Sequence, residues 1–179
     1  MSLNSPPETQ RLFFALWPEQ AFQESLAQIA RQVLGKQGKR VRPENLHLTL
    51  VFLGSMTAQQ RACVEAVADT IVGRSFTLQL EKIEHWSRPR VVWCATEETP
   101  EPLIELVQQL NQGLTVCGHQ PETRPYRAHM TLARKVAGHF PATRVAPLVW
   151  QVDHFCLVQS VTYPSGAQYQ VLRTWPLGM

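Results

Sequence analysis

The sequence lacks most features of secreted and membrane-spanning proteins. It has only 4 cysteines in 179 residues, and no two of them form a Cys-x-x-Cys pair. No apolar run approaches the roughly 18 residues that a membrane-spanning helix needs, and residues 1–10 are polar, without the apolar centre of a signal peptide. We therefore expect a soluble protein of the reducing cytoplasm, with four buried free thiols at Cys63, Cys94, Cys117 and Cys156.

Several common catalytic motifs are missing too. There is no glycine-rich phosphate-binding loop of either nucleotide-binding type. There is no Gly-x-Ser-x-Gly elbow, and Ser160 has no flanking feature of a nucleophile. These absences argue against a nucleotide-binding domain of the usual kinds and against a covalent serine hydrolase.

Length and charge limit the remaining possibilities. With 44% hydrophobic residues, the chain can bury one substantial core, and we predict a single domain over residues 1–179 with a flexible segment at 1–10. The net charge of +3 permits an anionic ligand without the charge excess of a protein that coats long duplexes. Arginine supplies 13 of the 17 basic residues, and its planar fork of donors suits phosphate.

Apolar periodicity predicts strands that alternate with helices. Pro18 is expected in the first turn of the first helix, and Thr57 with Gln60 forms a capping box for the second. The turn at 164–166 should join the last two strands. Strands are predicted at 11–17, 46–53, 76–80, 91–96, 155–161 and 169–175, with another after residue 127, and helices at 18–35, 57–73 and 99–114. This order indicates an α+β or α/β fold built on an internal duplication.

One tetrapeptide occurs twice. His-x-Thr-Leu begins at His47 and again at His129, and an Arg-Pro pair starts five residues before each histidine. Side chains alternate across a strand, so each histidine shares a face with the threonine two residues later, while the leucines lie on the opposite, apolar face. A single copy is typical of any half-exposed strand, but two copies with matching flanks favour a shared cleft.

Two imidazoles in one cleft can donate a proton on one side of a reacting group and accept one on the other, each starting near the ordinary pKa of about 6.5. A zinc site would need further ligands, and neither motif has a second one at usable spacing. Recruitment of the remaining histidines, which are His85, His119, His139 and His154, stays open, although nothing in their surroundings marks them. Metal-free acid–base chemistry at a phosphodiester fits the pattern best.

Three stretches carry a resemblance to a known family: residues 45–54, 90–93 and 124–134. They resemble the two-histidine phosphoesterases, in particular the bacterial LigT-like RNA 2′,3′-cyclic phosphodiesterases. The resemblance implies an α+β, bilobal, duplicated fold. In that fold two antiparallel sheets face each other across a central cleft, helices lie outside, and each lobe has one His-x-Thr strand.

The resemblance also implies a reaction. His129 would accept a proton from the attacking water, and His47 would protonate the departing 3′-oxygen, leaving a 2′-phosphate on the RNA. Thr49 and Thr131 would hold the phosphate oxygens, with neither metal nor cofactor. Arg134 matches the family's arginine after the second motif, although strand parity puts it on the face opposite His129 unless the strand ends or bulges after Leu132.

Two aromatic residues, Phe14 and Tyr126, could stack on a terminal base. Phe14 lies in an apolar run and fits the core better, so Tyr126, in a polar loop, is the preferred candidate. The expected partners are RNA ends or oligonucleotides with a 2′,3′-cyclic phosphate, with no membrane, and the expected state is a monomer. Two alternatives stay open: a 2′–5′ RNA ligase that joins tRNA halves, and a nucleotide-binding module without significant turnover.

Overall fold

The computed structural model describes residues 8–178, which form nine strands and three helices. The strands are β1 (Thr9–Leu16), β2 (Lys39–Arg40), β3 (Leu48–Thr57), β4 (Phe76–Trp86), β5 (Val91–Ala95), β6 (Met130–Arg134), β7 (Thr143–Val152), β8 (His154–Tyr163) and β9 (Gly166–Pro176). The helices are α1 (Gln20–Leu34), α2 (Ala58–Ala68) and α3 (Glu101–Gly113), with short 3₁₀ turns at Pro43–Asn45 and Leu114–Cys117.

The strands pair antiparallel in the order β7-β4-β5-β6-β3-β1-β8-β9, and β2 adds to β6. We call β3, β1, β8 and β9 the first half-sheet, and β7, β4, β5, β6 and β2 the second half-sheet. The two half-sheets are joined through one residue pair, Leu48 with Met130. The predicted α+β class is confirmed. The two expected sheets are the two halves of one continuous hydrogen-bonded sheet. One His-x-Thr motif lies at the start of β3 and the other at the start of β6.

The helices bury apolar faces against the half-sheets. α1 follows β1 in the chain but packs on β6 and β7 of the second half-sheet, where the Phe22 ring lies 5.3 Å from that of Trp150. α2 and α3 pack against β3 of the first half-sheet. The predicted capping box is confirmed, because the Thr57 side chain accepts from the Gln60 amide at 3.2 Å while the Gln60 side chain accepts from the Thr57 amide at 2.9 Å.

Several predicted boundaries need correction. α1 begins at Gln20 with Glu19 as its N-cap, so Pro18 lies before the helix rather than in its first turn. α2 ends at Ala68, five residues before the predicted end at 73. Thr9 and Gln10 pair with β3 and belong to the sheet rather than to a flexible segment; the rest of that predicted segment, residues 1–7, lies outside the described residues.

Two strands, β2 and β7, were not predicted. β2 is only two residues long, which is too short for a periodic signal. β7 contains Pro147, which normally argues against a strand. β7 is an edge strand paired only with β4, and Pro147 falls at an irregularity in that pairing, where a missing backbone donor is tolerated.

The prediction of four free thiols is half wrong. Cys94 and Cys156 are free and buried as expected, but Cys63 and Cys117 form a disulfide with their Cα atoms 5.8 Å apart. It ties α2 to the 3₁₀ turn after α3, and a separation of 54 residues along the chain gives no local signal from which the pairing could be read. Within residues 8–178, no helix is long and apolar enough to cross a membrane.

Candidate active site

The two motifs meet where the half-sheets join. The pairing of Leu48 with Met130 is antiparallel, and this register brings Thr49 beside His129 and His47 beside Thr131. Leu48 and Met130 are fully buried on the core side. The two histidines and two threonines line one cavity of about 440 Å³, a volume within the usual range for small-ligand sites.

Both imidazoles are held by the same backbone bond. His47 Nδ1 lies 2.7 Å from the carbonyl oxygen of Asn45, and His129 Nδ1 lies 2.8 Å from that of Arg127. A carbonyl can only accept, so each Nδ1 carries the hydrogen and donates it. The other ring nitrogen, Nε2, is therefore the atom that can exchange a proton with a ligand.

Aromatic rings surround each histidine, and their arrangement was not apparent from the sequence. The Trp17 indole stacks on His47 with ring centroids 4.9 Å apart and planes only 4° from parallel. Phe13 and Tyr169 approach the same imidazole at 5.1 and 5.0 Å. Around His129, two other rings take this role: Trp86 at 4.7 Å and Trp93 at 6.1 Å.

This environment lowers the pKa of both histidines. The pKa of His47 is lowered to about 4, mainly by burial and also by the positive charges of Arg134 and His129, against the opposing effect of the Asn45 hydrogen bond. Burial also lowers the pKa of His129, with a further contribution from Arg134. The sequence expectation of two imidazoles near 6.5 is thus wrong for the unliganded protein, in which both rings are neutral at pH 7.

A bulge brings Arg134 into the cavity. On β5, Val92 and Trp93 are consecutive, but their partners on β6 are Ala133 and Thr131. The extra residue, Leu132, reverses the alternation of side chains beyond it. Arg134 therefore lines the cavity with the two motifs, which the sequence analysis allowed if the strand ended or bulged after Leu132.

The two predicted stacking residues lie elsewhere. Phe14 is fully buried and packs against Phe155 and Trp175 at 6.1 and 5.8 Å, so it cannot reach a base. Tyr126 packs partly against the core, and its hydroxyl donates to the Thr49 carbonyl at 2.9 Å. It thereby ties the loop before the second motif to the first motif strand, and it does not line the cavity.

Residues that the sequence analysis did not single out complete the wall. Tyr169 and Trp86 line the cavity, and Asn45 donates from its side chain to the Ala167 carbonyl at 3.1 Å. This bond ties the first motif to the hairpin between β8 and β9. Long-range contacts of this kind leave no periodic signal in the sequence. Within residues 8–178, no three His, Cys, Asp or Glu side chains converge as a metal-binding group would.

Comparison with known proteins yields one consistent set. A family model described as LigT like Phosphoesterase matches residues 16–93 and 95–169, one stretch around each motif. The RNA 2′,3′-cyclic phosphodiesterase of Escherichia coli is 32% identical over 95% of this chain and 98% of its own. The protein of the same name from Archaeoglobus fulgidus is 30% identical over 92% and 99%. The crystal structure of E. coli LigT complexed with 3′-AMP has a TM-score of 0.87 at 31% identity, covering 96% of this chain and all of that one.

Proposed function

Because the chain belongs to the LigT-like phosphoesterase family, we propose that it is an RNA 2′,3′-cyclic phosphodiesterase that opens a terminal cyclic phosphate to a 2′-phosphate. The main support is structural: two imidazoles, each with Nδ1 donating to a backbone carbonyl, share one cavity with two threonines. The names of the E. coli and A. fulgidus relatives support the choice of substrate.

The first proton transfer is assigned to His129. Its Nε2 is neutral in the unliganded site and takes a proton from a water as that water's oxygen forms a bond to phosphorus. The resemblance of the second motif to that of the family is the reason for this assignment. Burial and Arg134 lower the pKa of His129, which keeps the lone pair of Nε2 available at neutral pH. The imidazolium that forms keeps its Nδ1 hydrogen bond to Arg127.

The second transfer is assigned to His47. As the bond from phosphorus to the 3′-oxygen breaks, His47 Nε2 gives that oxygen a proton, so the product has a free 3′-hydroxyl and a 2′-phosphate. In the free protein His47 is neutral, because its pKa is lowered to about 4. The negative charge of a bound phosphodiester raises that pKa again, so substrate binding itself favours the protonated acid.

Three other groups stabilise the negative charge of the phosphate. Thr49 and Thr131 supply hydroxyl donors for the non-bridging oxygens, and Arg134 adds a positive charge in the same cavity. Donors that are already in place before the reaction stabilise the developing charge of the transition state more than that of the ground state. Side chains of this protein thus supply both proton transfers and the stabilisation of the phosphate's negative charge.

Incubation with an RNA oligonucleotide that ends in a 2′,3′-cyclic phosphate tests the proposal. The expected product carries its phosphate only on the 2′-oxygen, as shown by ³¹P NMR and by nuclease mapping. A 3′-phosphate product, or binding without turnover, would contradict the proposal; joining of two RNA ends under the same conditions would favour the ligase alternative. The monomeric state and the cytoplasmic location stay predictions.

A further inference from the structure

The cavity contains more positive charge than one phosphate requires. Besides Arg134, its lining includes four further cations, which are Lys39, Arg40, Arg42 and Lys135. No aspartate or glutamate lines it. A terminal cyclic phosphodiester carries a single negative charge, and Arg134 with the two threonines already faces it.

Four of these cations come from two paired strands, and we call them the basic ridge: Lys39 and Arg40 on β2, Arg134 at the end of β6, and Lys135 directly after it. Lys39 and Arg134 are directly paired across the two strands. Like charges in that position destabilise a sheet. Adjacent strands lie about 4.8 Å apart, so the ridge continues the charge of Arg134 one strand outward from the reacting phosphate.

The charges of the ridge have no carboxylate partners. Elsewhere in the described residues many cations are in ion pairs, which involve Arg61, Arg74, Lys82, Arg124, Arg144 and Arg173. No ion pair within residues 8–178 includes a member of the ridge. Arg40 is held by donation to the Gly35 carbonyl at the end of α1, while Lys39, Arg134 and Lys135 are exposed.

The backbone specifies where β2 lies. Gly38 has a φ of +65°, and a Cβ there would come within 2.7 Å of the Arg134 carbonyl oxygen and 2.6 Å of Val136. Only glycine allows this approach. Lys135 has a φ of +58°, which is uncommon for a residue with a side chain. Lys39 is thereby held beside Arg134 in spite of the repulsion between them, and its ammonium group lies near the Gly166 turn of the first half-sheet.

We propose that the basic ridge is a second anion subsite, which binds the phosphodiester immediately upstream of the reacting end of an RNA strand. This inference rests on the proposed function, since the first phosphate is placed by the two motifs. An anion between Lys39 and Arg134 removes their repulsion, and a covalently linked second phosphate is the anion that an RNA end brings with it. The preferred substrate is therefore an oligonucleotide rather than a cyclic mononucleotide.

Equilibrium binding of two products isolates the subsite. Adenosine 2′-phosphate and the trinucleotide ApApA with a terminal 2′-phosphate carry the same reacting end and differ in upstream nucleotides. The trinucleotide is expected to bind about tenfold more tightly, since one hydrogen bond between charged groups has about that effect. Its log Kd should also depend more steeply on log salt concentration, by about 0.7 for each additional phosphate contact.

Variants that remove one positive charge each test whether the basic ridge causes the tighter binding of the trinucleotide. Lys39→Gln and Lys135→Gln should each reduce the ratio of the two affinities toward one and reduce the additional salt dependence. Lys36→Gln makes the same charge change three residues from Lys39, at an exposed position outside the cavity lining, and should leave both quantities unchanged. Thermal unfolding of each variant confirms that the fold is intact.

The possible outcomes separate the two proposals. Equal affinities for the two products, or a ratio that Lys39→Gln and Lys135→Gln leave unchanged, overturn the subsite. Turnover of ApApA that ends in a 2′,3′-cyclic phosphate, measured in parallel at saturating concentration, tests the proposed function separately. A missing turnover with an intact affinity ratio would overturn the function and leave the subsite standing.

Discussion

The two histidines have the same local sequence and different surroundings. His47 and His129 both donate from Nδ1 to the carbonyl two residues earlier. His47, however, lies among three aromatic rings, one of them stacked face to face, whereas His129 has two tryptophan rings beside it, both inclined by 69° to the imidazole plane and neither stacked on it. The repeated tetrapeptide therefore fixes tautomer and position, and the rest of the fold makes the two imidazoles chemically unequal.

Removal of either imidazole should have the largest effect. His47→Ala and His129→Ala are each expected to reduce kcat/KM on a cyclic-phosphate RNA by about 10²–10⁴-fold, the usual effect of losing one proton-transfer group. The fold should survive, because the buried leucine and methionine side of each strand is unchanged. His139→Ala, at an exposed position outside the cavity lining, is the control and should retain normal turnover. Near-normal activity of either motif variant would make that histidine structural.

The threonines should have the next largest effect, and a more symmetric one. Thr49→Val and Thr131→Val keep the side-chain shape and remove the hydroxyl donor. Each should lower kcat by about 10²–10³-fold, as expected for loss of one charge-stabilising donor, whereas the serine variants should recover most of it. Steady-state kinetics of the four variants decide this, and a valine variant with unchanged kcat would exclude that hydroxyl from the transition state.

The inequality of the two sites should appear in pKa values. Trp17→Leu removes the indole stacked on His47, so water reaches the imidazole and its pKa should rise from about 4 toward the ordinary value of about 6.5. NMR titration of the His47 ring measures this shift. Trp86→Leu is the matched change beside His129 and should leave the His47 pKa unchanged. No rise in Trp17→Leu would show that the indole does not contribute to the burial that lowers this pKa.

The pH dependence of the wild-type enzyme follows from the lowered pKa of both histidines. The reaction requires one imidazole to be neutral and the other to be protonated. The pH profile of kcat/KM, which reports the ionisation of the free enzyme, should therefore be bell-shaped. Because the pKa of each histidine is lowered in the free protein, the maximum should lie below pH 6.5, and activity should fall as the pH rises above it and the acid loses its proton. The two limbs belong to the coupled pair. A maximum well above pH 7 would contradict the burial of the two rings.

Chelation is expected to have the smallest effect. The two imidazoles, two hydroxyls and Arg134 provide proton transfer and charge stabilisation from the chain itself, so exhaustive treatment with EDTA should leave turnover unchanged. The assay compares the treated enzyme with the same enzyme after added zinc or manganese. Loss of activity in EDTA and its return with either metal would refute the proposed mechanism.

Local sequence signals predicted the strands and helices better than the long-range contacts between them. The capping box at Thr57 and the alternation around His47 could be predicted because both depend on neighbours a few residues apart. The bulge at Leu132, the stack of Trp17 on His47 and the disulfide at Cys63 depend on strands or turns that are distant in the chain. No periodicity records such contacts, so the position of Arg134 was predicted only conditionally and the lowered pKa of each histidine was not predicted at all.

The opposite roles of His47 as acid and His129 as base can be separated with a substrate that makes the acid unnecessary. A substrate whose 3′-leaving group is stable as an anion needs no proton from an acid but still needs a base for the attacking water. With such a substrate, His47→Ala should recover most of its lost kcat/KM relative to the wild type, and His129→Ala should recover none. Equal recovery by both variants, or recovery by His129→Ala alone, would contradict the assignment.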